Sequence, residues 1–316
     1  MCNPLSHISG ILSLIVFTVQ ARTVVVSSED VRNDIDQFAE FCETHAIQSF
    51  AAMPVLFNKL VDKAPMISKR LSGVRYVLTG GSVVSQTLVD QFHATYPHIT
   101  LEQLYGLSES SGIVLISRNV AEFNSLEVAP NVEAKIVDVV TRKTLAPNET
   151  GELFLRTPTV AMGYYNRPEA TAETFLADGW LATGDLARMD DKGRFTIVDR
   201  VKQMIKCLDA QVAPGDLEDL LVRDKCVSQA VVAGIPHRHF GEAPAAFIVP
   251  KDNTVSNTLA ELRKRLLAEV DTKCAYTKRL HGGLFFVKEI PSTESGKFSR
   301  KDLLAEHKKR TLEYLA

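Results

Sequence analysis

Between Gly151 and Glu218 the chain sets four turn-bearing segments in a fixed order. They are Gly151-Glu152-Leu153, Gly163-Tyr164-Tyr165-Asn166-Arg167-Pro168-Glu169-Ala170-Thr171, Asp178-Gly179-Trp180-Leu181-Ala182-Thr183-Gly184-Asp185, and Asp199-Arg200-Val201-Lys202-Gln203-Met204-Ile205-Lys206. Glycine and Asp-Gly punctuation of this density admits short strands joined by tight turns rather than long helices. Val132 to Asp199 has this texture throughout, and Asp190-Asp191-Lys192-Gly193 forms a hairpin turn before a strand at Arg194 to Val198.

The flanks read differently. Up to about Gly112, β-branched runs alternate with helical ones, the pattern of βα units around a mostly parallel sheet. Arg22 to Ser27 reads as a strand. Val31, Ile35, Phe38 and Cys42 recur at helical spacing, and Pro54 opens a helix where its missing N–H costs nothing. Val74 to Thr79 is the next strand, and Ser85 caps a helix whose buried face is Leu88, Val89 and Phe92. After Asp199-Arg200 the pattern becomes α+β: a helix from Pro214 to about Val222, strands at Val227 to Gly234 and Ala243 to Pro250, and an amphipathic helix on Leu259, Leu262, Leu266, Leu267 and Val270.

With 316 residues, 45% of them hydrophobic, 23% charged, and a formal net charge of −2, the chain can bury two cores and gives no electrostatic case for a nucleic-acid partner. Cys2, Cys42, Cys207, Cys226 and Cys274 are odd in number and contain no Cys-x-x-Cys pair, so they read as reduced thiols rather than as a disulfide framework or zinc site. The apolar run Ile11 to Val19 has no Lys or Arg before it and is too short to span a bilayer, so it reads as buried chain. The last residues, Tyr314-Leu315-Ala316, are not a Ser-Lys-Leu type of address, which leaves the cytoplasm as the default compartment.

The ordered motifs resemble those of the adenylate-forming superfamily of acyl-CoA synthetases, 4-coumarate-CoA ligases and firefly luciferase. The resemblance implies an α/β fold: residues 1–200 as the C-terminal part of a large AMP-binding domain, divided into a βα subdomain (1–120) and a small β-barrel subdomain (121–200), followed by a smaller, mobile α+β domain (201–316). It also implies activation of a fatty or aromatic carboxylic acid with ATP and Mg²⁺ to an acyl-AMP, and transfer of the acyl group to coenzyme A. Attack of a carboxylate on the α-phosphorus demands charge neutralisation on both the attacking and leaving sides. Tyr105-Gly106-Leu107-Ser108-Glu109 resembles the family's Tyr-Gly-x-Thr-Glu motif, in which the Tyr ring stacks on adenine, the hydroxyl meets the α-phosphate and the Glu holds Mg²⁺. Gln103, Gly80, Gly81 and Ser82 join Tyr105, Gly106 and Ser108 in the implied nucleotide-contacting set. Asp185 matches the carboxylate that accepts both ribose hydroxyls, and Arg200 the ribose and phosphate contact.

In the same way Lys297 matches the lysine that bridges carboxylate and phosphate during adenylation, and Lys202 the position about which the small domain rotates. Lys206 and Gln211 match positions beside the acyl-adenylate and the thiol route, and His7 matches the histidine that gates the acyl and thiol channel. Two competing motifs fail on their residues. Ser295-Gly296-Lys297 is not a phosphate loop, because Pro291 and Phe298 stand where Gly and a hydroxyl are needed. Gly106-Leu107-Ser108-Glu109-Ser110 ends in Ser rather than Gly, which removes the hydrolase nucleophile elbow.

Departures from the family pattern suggest impaired turnover. Leu208 and Asp209 replace a lysine and a glycine flanking the pantetheine tunnel, where a carboxylate repels CoA phosphates. Asn124-Ser125-Leu126-Glu127 replaces a Gly-Ser-Val-Gly turn. The family's Ser/Thr/Gly-rich phosphate loop would lie before this chain starts, so the expectation is a truncated ligase or a catalytically inactive AMP- or acyl-binding remnant, with a partner chain covering the cut edge of the sheet.

Overall fold

The computed structural model describes residues 31, 34–52, 54–81, 84, 86–117, 123–251, 256–293 and 298–315. His7, Ser82 and Lys297, the strand expected at Arg22 to Ser27 and the capping Ser85 lie outside the described residues. The chain divides into two compact units, the second beginning at Asp199.

In the first unit, α1 (Ile35–Thr44) starts at Asp34, whose carboxylate accepts from the amides of Asp36 and Gln37. Those bonds satisfy donors that have no partner inside the helix. Then follow β1 (Ser49–Ala52), α2 (Pro54–Asp62), α3 (Ala64–Ile67), β2 (Tyr76–Gly80), α4 (Gln86–Thr95), β3 (Thr100–Leu107), β4 (Gly112–Ile116) and β5 (Glu127–Val128). The sheet runs β1-β2-β3-β4-β5, parallel through β3 and antiparallel thereafter. The helical periodicity holds: Ile35, Phe38 and Cys42 of α1 and Leu88, Val89 and Phe92 of α4 are buried in one core with Phe57, Leu60, Val77 and Leu101. Phe57 meets Phe92 edge-on at 5.2 Å. Each such large apolar side chain contributes about 1.5–3 kcal/mol by leaving water.

Next come β6 (Glu133–Val137), β7 (Thr150–Arg156), α5 (Pro168–Thr174), β8 (Leu181–Met189) and β9 (Phe195–Arg200). Here the structure corrects the expected small β-barrel: the strands make an open four-stranded sheet, β6-β7-β8-β9, with β6 and β9 at its two ends. Among the described residues no strand pairing joins β6 to β9, so this sheet does not close on itself. Instead Leu126, just before β5, bridges Phe195 of β9, and both side chains enter a core with Val114, Leu115, Leu153 and Leu155. The turn expected at Asp190 to Gly193 is present, with Gly193 at φ +76° and its amide bonded to Asp190 O.

The second unit contains β10 (Ile205–Cys207), β11 (Ala210–Val212), α6 (Pro214–Val222), β12 (Val227–His237), β13 (Gly241–Pro250), α7 (Ser256–Lys273), β14 (Gly283–Phe286) and α8 (Arg300–Leu315). Its sheet runs β11-β10-β13-β12, and β14 pairs in parallel with β13. Leu262, Leu266 and Val270 of α7 and Leu217, Leu220 and Leu221 of α6 share a core on this sheet. Cys42, Cys207, Cys226 and Cys274 are free thiols. No helix among the described residues is long and apolar enough to cross a membrane.

Candidate functional site

In the first unit the site is assembled where β3 turns into β4 and where β8 bulges. Tyr105 and Asp185 are 80 residues apart in sequence, yet the Tyr105 hydroxyl donates to Asp185 Oδ2 at 2.7 Å. Asp185 is buried and Tyr105 half-buried. A carboxylate has two oxygens, each with more than one lone pair, so an aspartate is a type of side chain that can accept from several hydroxyls.

The placing of Asp185 comes from the bulge. Phe154 pairs with Ala182 and Glu152 with Leu186, so one residue of β7 faces three of β8, and Gly184 turns through φ +70°. That left-handed conformation favours glycine. Glu152, to which the motifs assign no role, holds the bulge: its buried carboxylate accepts from Gly184 N at 3.0 Å and pairs with Arg142 at 2.6 Å. Thr183 Oγ1 accepts from Asp185 N and donates to Leu153 O. The only signal for Glu152 was its place in the Gly-Glu-Leu motif.

The glycines at strand ends serve close approach. A Cβ on Gly106 would lie 2.1 Å from Gly112 O, and one on Gly80 would lie 2.4 Å from Leu104 O. Gly81 follows at φ +85°. Gln103 is buried, and its Oε1 accepts from Asn124 N at 3.1 Å, so this side chain ties down the turn before β5. Asn124 adopts φ +63°, which accounts for Asn where the family pattern has Gly.

Ser108 is exposed at the β3–β4 turn, and Glu109 beside it is half-buried. Glu109 Oε1 accepts from the Tyr164 hydroxyl at 2.7 Å, while Oε2 has no hydrogen-bond partner among the described residues. Among those residues no group of three or more His, Cys, Asp or Glu side chains is placed to hold a metal ion. A single carboxylate nonetheless fits Mg²⁺, which keeps several waters and takes one or two carboxylates plus substrate phosphates.

The second unit carries the other matched positions. Lys206 and Gln211 face each other across the β10–β11 hairpin, both exposed, and Lys206 N donates to Glu242 Oε2 at 2.8 Å. Leu208 and Asp209 form the two-residue turn between these strands. Leu208 sits at φ +57° and is half exposed, an expensive conformation for a side chain with a Cβ. Arg200 is exposed, and its amide donates to Asp199 Oδ1 at 2.7 Å. The other oxygen of Asp199 accepts from Gly215 N at the start of α6, at 3.2 Å.

Residues 1–165 match the family model for AMP-binding enzymes, and residues 216–297 match the model for the AMP-binding enzyme C-terminal domain. The chain belongs to the AMP-binding enzyme family. It is 37% identical over 276 residues to 4-coumarate--CoA ligase-like 2 of Arabidopsis thaliana, covering 85% of this chain and 48% of that relative. It is 33% identical over 309 residues to peroxisomal OPC-8:0-CoA ligase 1 of the same plant, covering 95% and 55%. Luciferin 4-monooxygenase of Photinus pyralis is also 33% identical, over 303 residues, covering 95% and 54%. The chain therefore spans about half the length of the curated relatives it matches. Among solved structures, ATP-bound MatB from Rhodopseudomonas palustris superposes with a TM-score of 0.83 at 23% identity, covering 96% of this chain and 58% of that one. The anthranilate CoA ligase AuaEII in complex with anthranoyl-AMP gives 0.77 at 24%, covering 86% and 52%. These two likenesses establish the α/β fold of AMP-binding enzymes.

Proposed function

We propose that this chain carries the nucleotide-binding and C-terminal parts of an acid–thiol ligase that activates a fatty or aromatic carboxylic acid with ATP and passes the acyl group to CoA. The observation that carries this reading is the hydrogen bond between Tyr105 and Asp185, which joins two distant motifs into one half-buried aromatic and carboxylate pair. A tyrosine face suits an adenine ring, and the two oxygens of a carboxylate suit the two hydroxyls of a ribose diol. Relatives named as CoA ligases support the acid–thiol reaction.

In this reading Tyr105 and Asp185 orient the nucleotide, with Gly80, Gly81, Gly106 and Gln103 shaping the strand ends around it. Ser108 offers a hydroxyl to the α-phosphate, and Arg200 a cation to ribose and phosphate. Glu109 would hold Mg²⁺, which supplies charge neutralisation at the phosphates when bound. Lys297 donates to the carboxylate and α-phosphate oxygens as the acyl-adenylate forms and pyrophosphate leaves. The second unit, turning about Lys202, then brings Lys206 and Gln211 toward the thiol, with His7 at the channel. The cytoplasm is the compartment proposed by default.

A second reading, an AMP- or acyl-binding protein without turnover, is favoured by the hairpin turn: Leu208 pays for a left-handed backbone, and Asp209 adds a carboxylate beside Lys206 and Gln211. Acid-dependent exchange of labelled pyrophosphate into ATP, followed by thioester formation with CoA, separates the two. Exchange and thioester together support the ligase. Binding of AMP without exchange over a panel of fatty and aromatic acids rejects the ligase in favour of the second reading.

A further inference from the structure

The segment between β7 and α5 runs alongside the β3–β4 turn and is bonded to it three times. Thr159 Oγ1 donates to Ser110 O at 2.8 Å, Ala161 N to Glu109 O at 2.8 Å, and Tyr164 Oη to Glu109 Oε1 at 2.7 Å. Two of these bonds reach backbone and fix the turn. The third reaches the one carboxylate in the turn.

Tyr164 is itself held on a rigid base. Its amide donates to Thr171 Oγ1 at 2.9 Å, and its ring packs edge-on to Phe175 at 5.4 Å with an interplanar angle of 69°. Gly163 before it adopts φ +147°, and a Cβ there would come within 2.5 Å of Thr171 Cγ2, so only glycine lets the chain lie this close to α5. Backbone and ring are thus held by contacts that do not involve Glu109.

The choice of donor matters chemically. A phenol is neutral and has one proton to give, so it fixes one carboxylate oxygen and leaves the carboxylate charge intact. A lysine or arginine in its place would orient Glu109 equally well and cancel the charge a divalent cation needs. The partner-free Oε2 is the oxygen left to meet such a cation.

We propose that Tyr164 is a positioning residue: it aims the Glu109 carboxylate at the divalent cation carried by the bound nucleotide. The inference rests on the nucleotide-binding reading above. Partners that orient a metal-binding carboxylate typically change metal affinity by about 10–100-fold, and one exposed hydroxyl belongs at the lower end. The probe is Mn²⁺ with ATP, titrated calorimetrically into the full chain and compared with ATP in EDTA. For Tyr164→Phe, which keeps the ring against Phe175, the expected result is a roughly tenfold weaker Mn²⁺–ATP affinity with metal-free ATP affinity and thermal unfolding unchanged. In a Glu109→Gln background the same substitution should have no further effect.

A Tyr164→Phe variant that binds Mn²⁺–ATP like the parent, while Glu109→Gln binds it weakly, overturns the role of Tyr164 alone. An equal loss from Tyr164→Phe in both backgrounds also overturns it, because the hydroxyl would then act without Glu109. If Mn²⁺ adds nothing to ATP affinity in the parent chain, the metal assignment of Glu109 falls and the proposal with it.

Discussion

Replacing Arg300 by Met should destabilise the second unit by about 3 kcal/mol. Arg300, at the first position of α8, donates Nε to Val232 O at 3.0 Å, Nη1 to Gln203 Oε1 at 2.9 Å and Nη2 to Glu218 Oε1 at 2.5 Å. One side chain thereby joins α8, β12, α6 and the turn that contains Lys202. Both members of the Arg300–Glu218 pair are 21% exposed. Breaking a buried pair by removing one partner costs about 3–5 kcal/mol, and partial exposure argues for the lower end. Burial pushes the Glu218 carboxyl above the ordinary glutamate value, against the pull of Arg300 and of Val232 N.

The sign of the pH dependence follows. A carboxyl raised in the folded state favours the fold below its unfolded pKa, about 4.3, and that contribution is lost as pH rises through the folded value. Without Arg300 the carboxyl rises further, so the deficit of Arg300→Met should be largest near pH 7 and shrink toward pH 5. Adding Glu218→Gln should recover part of it at pH 7, because no uncompensated charge remains. Hydrogen exchange of the β12 amides, corrected for intrinsic rate, measures this locally. About 3 kcal/mol corresponds to acceleration on the order of 100-fold. A loss under about 1 kcal/mol, outside the range for a broken buried pair, or a deficit independent of pH would refute the reasoning.

Gly106→Ala should cost at least about 3 kcal/mol, within the large-effect range for overpacking and backbone strain, because its Cβ would lie 2.1 Å from Gly112 O and 2.8 Å from Gly112 C. Urea unfolding followed by Trp180 fluorescence should show it, and an unchanged midpoint would show that β3 and β4 can separate freely. Leu208→Gly should stabilise the second unit by roughly 0.5 kcal/mol, the relief of a left-handed leucine partly offset by glycine's unfolded-state freedom; slower exchange of the β10–β11 amides is the readout, and faster exchange would contradict it. Arg265→Gln should remove about 0.5 kcal/mol at pH 7, since Arg265 is 52% exposed. The hydrogen bond from Arg265 holds the Asp224 carboxyl below its ordinary value, so this contribution is present above the unfolded pKa and disappears as pH falls through the folded one. The gap between parent and variant should therefore begin to narrow only below about pH 4 and close once pH has passed below the lowered folded value, and a gap that does not narrow on acidification would refute it.

Periodicity made most of the architecture legible. The buried faces of α1, α4 and α7 and the start of α6 at Pro214 follow from apolar spacing and helix-opening prolines. The expected barrel was wrong because alternation reports that a strand has one buried face, not whether the sheet closes. Leu126 and Phe195 bridge and bury each other through a contact that no local pattern announces. The site was legible only in part. Tyr105 and Asp185 could be placed near a nucleotide by motif order, but their mutual hydrogen bond depends on a bulge whose support comes from Glu152 and Arg142, far apart in character from any catalytic motif. Tyr164 was visible only as a letter in a Gly-Tyr-Tyr segment, since its bond to Glu109 spans 55 residues. Gln103, grouped by resemblance with nucleotide contacts, has its side chain engaged with Asn124.

The most direct measurement is the equilibrium affinity of the parent chain for AMP, set beside that of Asp185→Ala. Measurable binding that weakens at least about tenfold in the variant, the loss of one charge-assisted contact, is the expected result. A parent chain that does not bind AMP, or a variant that binds it equally well, would contradict the nucleotide site built on Tyr105 and Asp185.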